Sequence, residues 1–220
     1  MPYVGRSNAS LIMMACTSSG RLLQPSAPAR AIDESFRMEA FGTADGPEPR
    51  TEGNHAVMAT HTLVGSHKWS HVLVIGLASS FDLLPAHLSD DVELALPLIG
   101  WTGYGKGNIT LTGEFSADSP VRFDECGYSD FRLWHAAPVF SNGVALLGES
   151  EKWVPVAVAR VQACGEQGSE LVCMLHGESG EQAEFAFAFE TKVYYVECVF
   201  PSAGAVTVSF ETNDKRAKCM

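Results

Sequence analysis

From Ala56 onward, apolar residues come in short runs broken by Gly, Pro and Ser, and several of the runs alternate with a period of two. That is the spacing of β-strands, whose successive side chains point to opposite faces. Phe185-Ala186-Phe187-Ala188-Phe189 is the plainest case: one face takes three rings and the other takes alanine. Residues 57–64 and 69–77 read as consecutive strands turned by Gly65-Ser66. The second is apolar on both faces and so reads as central. Residues 81–88 contain a proline and read as a weak strand or a turn. Further strands are predicted over 92–101, interrupted at Pro97, and over 108–115, with the glycine-rich 103–107 as a loop. Residues 131–140, 144–148, 154–162, 171–176, 183–190, 192–200 and 205–211 complete the set, the register being ambiguous within 193–198. Strands this dense, with Gly and Pro turns at 177–180 and 201–204, predict a mainly β chain. Its expected architecture is an antiparallel β-sandwich over 56–212, followed by a polar tail over 213–220.

The first 55 residues have a different pattern. Leu11 to Cys16 is a short apolar run that reads as a buried strand, closed by Thr17-Ser18-Ser19-Gly20. Two prolines keep 21–28 out of a helix interior. Residues 31–41 are compatible with a short helix carrying Ile32, Phe36 and Ala40 on one face. Residues 42–54, rich in Gly, Pro, Glu and Asp, read as an exposed loop or linker.

Composition narrows the partners more than the fold. Of the 220 residues, 46% are hydrophobic and 19% charged, enough apolar material for a core. The formal net charge is -11, with 15 scattered basic residues, which argues against a nucleic-acid partner. No apolar run reaches the roughly 18 residues of a membrane span, and no readable targeting signal emerges. The six cysteines form no CxxC pair, so a structural zinc site is not expected. Cys164 and Cys173 are placed to face each other in a hairpin, as a disulfide or as two small buried residues. Asn8-Ala9-Ser10 and Asn108-Ile109-Thr110 match the glycosylation acceptor tripeptide, which also arises by chance.

Candidate chemistry is sparse. His61, His67 and His71 lie close in sequence, and on a strand His67, Trp69 and His71 share a face, as a metal edge, a sugar platform or a plain solvated face. Carboxylates cluster at Asp124-Glu125 and at Glu149-Ser150-Glu151. A glycosidase pair needs two acids roughly 5–10 Å apart, and surface loop charge is the plainer account of both. There is no Gly-x-Ser-x-Gly elbow, phosphate loop or dinucleotide fingerprint, and so no implied cofactor. The tryptophans Trp69, Trp101, Trp134 and Trp153 suit either sugar stacking or a core.

Residues 129–158 carry a further signal. Trp134-His135-Ala136-Ala137-Pro138-Val139 leads to a turn at Gly143 and on to Leu146-Leu147-Gly148-Glu149. This layout resembles the C-terminal β-domain of glycoside hydrolases of the α-galactosidase and raffinose synthase type, in which a (β/α)8 barrel precedes an antiparallel β-domain. Residues 69–77 and 82–88 resemble the first strands of such a domain. Residues 22–33 resemble the chain leaving the last barrel strand and helix. The resemblance implies carbohydrate as ligand and an upstream barrel as partner. The family's catalytic aspartates lie on barrel strands with no counterpart here, so no catalytic residue carries over. It makes Arg21 and Gln24 the residues expected nearest a sugar site. A stand-alone binding module would instead use Trp69, Trp101 and Trp134, and exposure of those indoles separates the two readings. A sandwich used only for protein contacts is the third.

Overall fold

The computed structural model describes residues 13–33, 56–77, 79–88, 97–105, 107–127, 129–202 and 204–220. The chain is mainly β, with every strand pairing antiparallel and a single helical turn among the described residues. It divides into two compact units. One, the central unit, comprises residues 26–103 and 110–139; the other, the C-terminal unit, comprises 104–109 and 140–220 together with the chain up to Pro25.

The central unit is built on a six-stranded sheet. Its strands are β1 (Arg30–Ala31), β2 (Ala56–Val64), β3 (His67–Ile75), β5 (Leu98–Thr102), β6 (Thr110–Phe115) and β8 (Arg132–Pro138), in the order β1-β2-β3-β8-β5-β6. A two-stranded ribbon of β4 (Phe81–Leu83) and β7 (Val121–Phe123), with the helical turn α1 (Pro85–Leu88), packs on one face. The core there gathers Val57, Ala59, Val72, Val74, Trp134 and Ala136 from the sheet with Leu83, Leu88 and Phe123 from the ribbon and turn. Alternation explains this set, since 57 and 59, 72 and 74, and 134 and 136 each fall two apart. Trp134 donates its indole N–H to Thr112 Oγ1 at 3.1 Å and meets Phe115 edge-on at 4.9 Å. Gly100 leaves room for that indole, because a Cβ there would come within 2.5 Å of Trp134 Cζ2.

The C-terminal unit has two sheets. β10 (Val161–Gln167), β11 (Glu170–His176), β14 (Ala205–Glu211) and β15 (Arg216–Cys219) form one, in the order β10-β11-β14-β15. β13 (Lys192–Val199), β12 (Gln182–Phe189) and β9 (Val144–Glu149) form the other. The Phe face of β12 turns toward Phe210 of β14, with Phe187 at 5.8 Å and Phe189 at 5.5 Å; Tyr194 of β13 stands 4.9 Å from the same ring. Leu171, Cys173, Leu175, Val206 and Val208 complete this interior. Face-to-face sheets with alternating inward side chains are the sandwich arrangement. The pairing Phe187↔Tyr194 resolves the register of β13: Tyr194, Val196 and Cys198 share the face of Phe185 and Phe187.

Several local expectations are corrected. Met13 to Ala15 form a turn rather than a strand, and Cys16 meets Leu22 in an isolated antiparallel bridge. Lys152 Nζ holds the carbonyls of Met13 and Cys16, which stabilises that turn. Leu11, Ile12 and the Asn8 tripeptide lie outside the described residues. The helix predicted over 31–41 begins instead as strand, with Ala31 paired to Met58; Phe36, Ala40 and the linker 42–54 lie outside the described residues. Residues 154–160 are turns and bends, not strand, because Ala157 O accepts from the amides of both Arg160 and Val161. The strand predicted from 92 is described only from Leu98. Residues read as a polar tail include β15, which pairs with β14 from Val208 to Glu211. No described helix is long and apolar enough to cross a membrane.

Cys164 and Cys173 do face each other across the β10–β11 hairpin, Cα atoms 4.1 Å apart, and are disulfide-bonded. A second disulfide, Cys198–Cys219, joins β13 of one sheet to β15 of the other. Cys16 and Cys126 are free and buried.

Candidate functional site

A concave polar surface of the C-terminal unit lies at one end of its three-stranded sheet. Glu184 on β12 and Glu197 on β13 are directly opposed in register. Directly opposed side chains have Cβ atoms about 5 Å apart, which brings the two carboxylates together on one face. Ser150 Oγ donates to Glu184 Oε1 at 2.8 Å. Around the pair, Glu149, Glu151, Lys152, Gln182 and Val199 complete a half-open groove of about 380 Å³.

Beneath the groove lies a buried charge network. The Arg160 guanidinium, 1% exposed, donates from Nε to Glu149 Oε2 at 2.8 Å and from both Nη atoms to Glu181, at 2.9 and 2.7 Å. It also lies 5.0 Å from the Phe200 ring centroid and donates to His176 O. The two carboxylates respond oppositely. Burial dominates at Glu149 and raises its pKa despite Arg160 and Lys152. Burial also opposes ionisation of Glu181, but the two-pronged Arg160 contact and the amides of Glu178 and Ser18 hold its carboxyl down at about 2. Glu149 faces the groove and receives one Arg160 donor, so its environment is the less ion-stabilising of the two. Gly148 precedes it at φ +101°, where a Cβ would come within 2.5 Å of the Pro155 carbonyl carbon. Glycine therefore lets the chain deliver Glu149 to Arg160.

The residues singled out from sequence fall into distinct environments. Arg21 and Gln24 have exposed side chains; their backbones tie the 13–25 segment down, Thr17 N–H donating to Arg21 O and Val158 N–H to Gln24 O. Trp69, Trp101 and Trp134 are each 1% exposed, so none presents the open face that ring stacking on a sugar needs. His67, Trp69 and His71 do share a face of β3, but it is not solvated: His71 is buried, and its Nδ1 lies 3.0 Å from His135 Nδ1. Thr62 Oγ1 is 3.4 Å from His71 Nε2, and Trp101 stacks 4.3 Å from the His135 ring. His61 faces Ser70 across β2 and β3, away from that pair. Among the described residues, no three His, Cys, Asp or Glu side chains gather to hold a metal ion. Glu149 and Glu151 of the sequence cluster both line the groove, whereas Asp124 and Glu125 do not. Sequence reasoning missed Arg160, Glu181, Glu184 and Glu197. The opposed Glu184 and Glu197 follow from alternation once the β12–β13 hairpin is registered, but nothing local marks Arg160.

A short Nδ1···Nδ1 contact needs one ring to donate and the other to accept, so the accepting imidazole is neutral when it forms. Burial, then the neighbouring His71, lowers the His135 pKa well below its ordinary value of 6.5. A depressed folded pKa adds stability that is present above the unfolded value and lost as pH falls below it. The central unit should therefore weaken by up to about 1 kcal/mol per pH unit below about 6.5. Urea midpoints at pH 7.5 and 5.5 measure this, and His135→Phe should flatten the difference. A midpoint equal at the two pH values in the wild type would contradict it.

The chain matches no protein-family model and no curated protein.

Proposed function

We propose that this chain is an accessory β-domain of a glycosidase-like protein, packing beside a carbohydrate site and contributing sugar contacts rather than the hydrolytic step. The observation that carries the proposal is the groove in which Glu184 and Glu197 oppose each other, rimmed by Glu151, Lys152 and Gln182. Saccharide hydroxyls donate to carboxylates, and each carboxylate has about four acceptor sites. A vicinal diol placed between Glu184 and Glu197 would donate to both carboxylates, while Lys152 and Gln182 donate to ring and hydroxyl oxygens. Exposed Val199 offers a small apolar wall. In the same reading, residues 22–33 are the chain leaving a barrel, and Arg21 and Gln24, both exposed, reach toward the sugar bound by that barrel.

Titration calorimetry with raffinose tests the groove. Saturable binding is expected, weakened at least about tenfold, or 1.4 kcal/mol, in Glu184→Gln and Glu197→Gln. No heat with raffinose or melibiose would remove the groove as a saccharide site. Aryl α-galactosides should stay intact with this chain alone.

A second reading, a protein-contact domain that receives a basic segment, has the charge of the groove in its favour: four glutamates against one lysine among the described residues. The two separate by salt. Attachment of a Lys- and Arg-rich peptide falls steeply with ionic strength, whereas neutral sugar binding does not.

A further inference from the structure

We propose that Asn108 is a covalent modification site, the acceptor of an N-linked glycan. The proposal is independent of the saccharide groove, since the sugar here is bonded to the chain rather than held by it. Asn108-Ile109-Thr110 has the acceptor order, with a residue other than proline in the middle. The tripeptide alone says little, and the fold adds to it. Asn108 and Thr110 are both exposed, whereas Ile109 between them is only 8% exposed. The two side chains that a glycosyl transferase reads therefore face solvent, and the one it ignores anchors the segment. Asn108 also lies in a loop, two residues before β6 begins at Thr110.

That loop turns through Gly103, Gly105 and Gly107, each at positive φ. It is pinned by Gly105 N–H donating to Ser150 O at 2.8 Å and by Asn108 N–H donating to Gly105 O at 3.1 Å. A glycan is bulky and hydrated, and a surface loop carries one without interrupting a strand ladder. The cysteines supply the compartment. Cys164–Cys173 and Cys198–Cys219 are disulfide-bonded, and such bonds persist in oxidising surroundings such as the secretory lumen, where acceptor tripeptides meet the transferase. The donor is an oligosaccharide carried on a polyprenyl pyrophosphate. Asn108 Nδ2 attacks C1 of its reducing-end sugar. An N–C bond forms, the C1–O bond to pyrophosphate breaks, and the polyprenyl pyrophosphate leaves with that electron pair while Nδ2 gives up one proton. The Thr110 hydroxyl, two positions on, is the recognition group.

Expression of the full chain behind a secretion signal in cultured mammalian cells tests the assignment. The wild type should migrate as a larger species that peptide-N-glycosidase collapses. Peptide mass spectrometry should then find aspartate in place of asparagine at position 108, the mark this enzyme leaves. Asn108→Gln and Thr110→Ala should each lose modification at that position, and Thr110→Ser should retain it. The glycan is added during translocation, so total cell extract gives the answer even where a variant fails to fold. An unmodified Asn108 in the wild type, modification confined to Asn8, or a glycan still present on Asn108 in Thr110→Ala would each overturn the proposal.

Discussion

Replacing Arg160 with methionine is expected to destabilise the C-terminal unit by about 3–5 kcal/mol, the cost of breaking a buried ion pair by removing one partner. Methionine fills much of the stem volume, so the loss is electrostatic rather than a cavity effect. Two carboxylates, each 4–5% exposed, would remain: Glu149 without its Nε donor and Glu181 without both Nη donors. His176 O would lose a donor as well. The damage should spread to the 13–25 segment, because Glu181 also accepts from the amide of Ser18, and its neighbour Glu178 is bound by Thr17 and Ser19. Urea unfolding of the wild type and the variant measures the loss; a change under about 1 kcal/mol would show that the network is not buried in solution. Adding Glu149→Gln and Glu181→Gln should recover part of the loss, since the uncompensated charges are then gone. The network also sets an acid limit. Glu181 is held at about 2 against an ordinary 4.5, so its contribution is complete above 4.5 and disappears as pH falls toward 2. The variant should lose this window, so the stability gap between it and the wild type should narrow as pH falls from 4.5 toward 2.

Removing the Cys198–Cys219 disulfide should cost about 3 kcal/mol, the loop-closure value for a separation of this size. The two cysteines are 21 residues apart and lie on β13 and β15, strands that belong to different sheets of the C-terminal unit. Without the bond, β15 keeps only its ladder with β14 and side-chain packing, and four-residue edge strands are weak in isolation. The Cys198→Ala, Cys219→Ala double variant should unfold at a lower urea midpoint, and the reductant dithiothreitol should move the wild type the same way. An unchanged midpoint in the double variant would show that β15 is held by its ladder alone. Cys164–Cys173 closes a separation of only 9, across a hairpin already paired on both sides of the bond. Its loss should therefore cost less, about 2.5 kcal/mol on the same relation.

The strands themselves were readable because they are local. Phe185 to Phe189 shows its two faces in five residues, and Gly65, Gly143 and Gly180 mark turns with positive φ. The Cys164 and Cys173 pairing was foreseeable for the same reason: one hairpin brings them together whatever the rest of the chain does. Where local pattern misled, a distant partner had taken over. Residues 154–160 look like an apolar strand, yet the chain turns there to carry Arg160 to Glu149 and Glu181, 11 and 21 positions away. Lys218 and Cys219 look like a polar end, yet pairing with β14 and a bond to Cys198 make a strand of them. Trp69, Trp101 and Trp134 could have been platforms or core, and burial of all three was settled by sheet packing rather than by any neighbouring residue. The groove of Glu184 and Glu197 and the His71–His135 contact share this origin. Alternation along one strand says which residues share a face. Which faces meet, and which charges are thereby taken out of water, depends on register and sheet packing between segments far apart in the chain, and only the tertiary structure decides that.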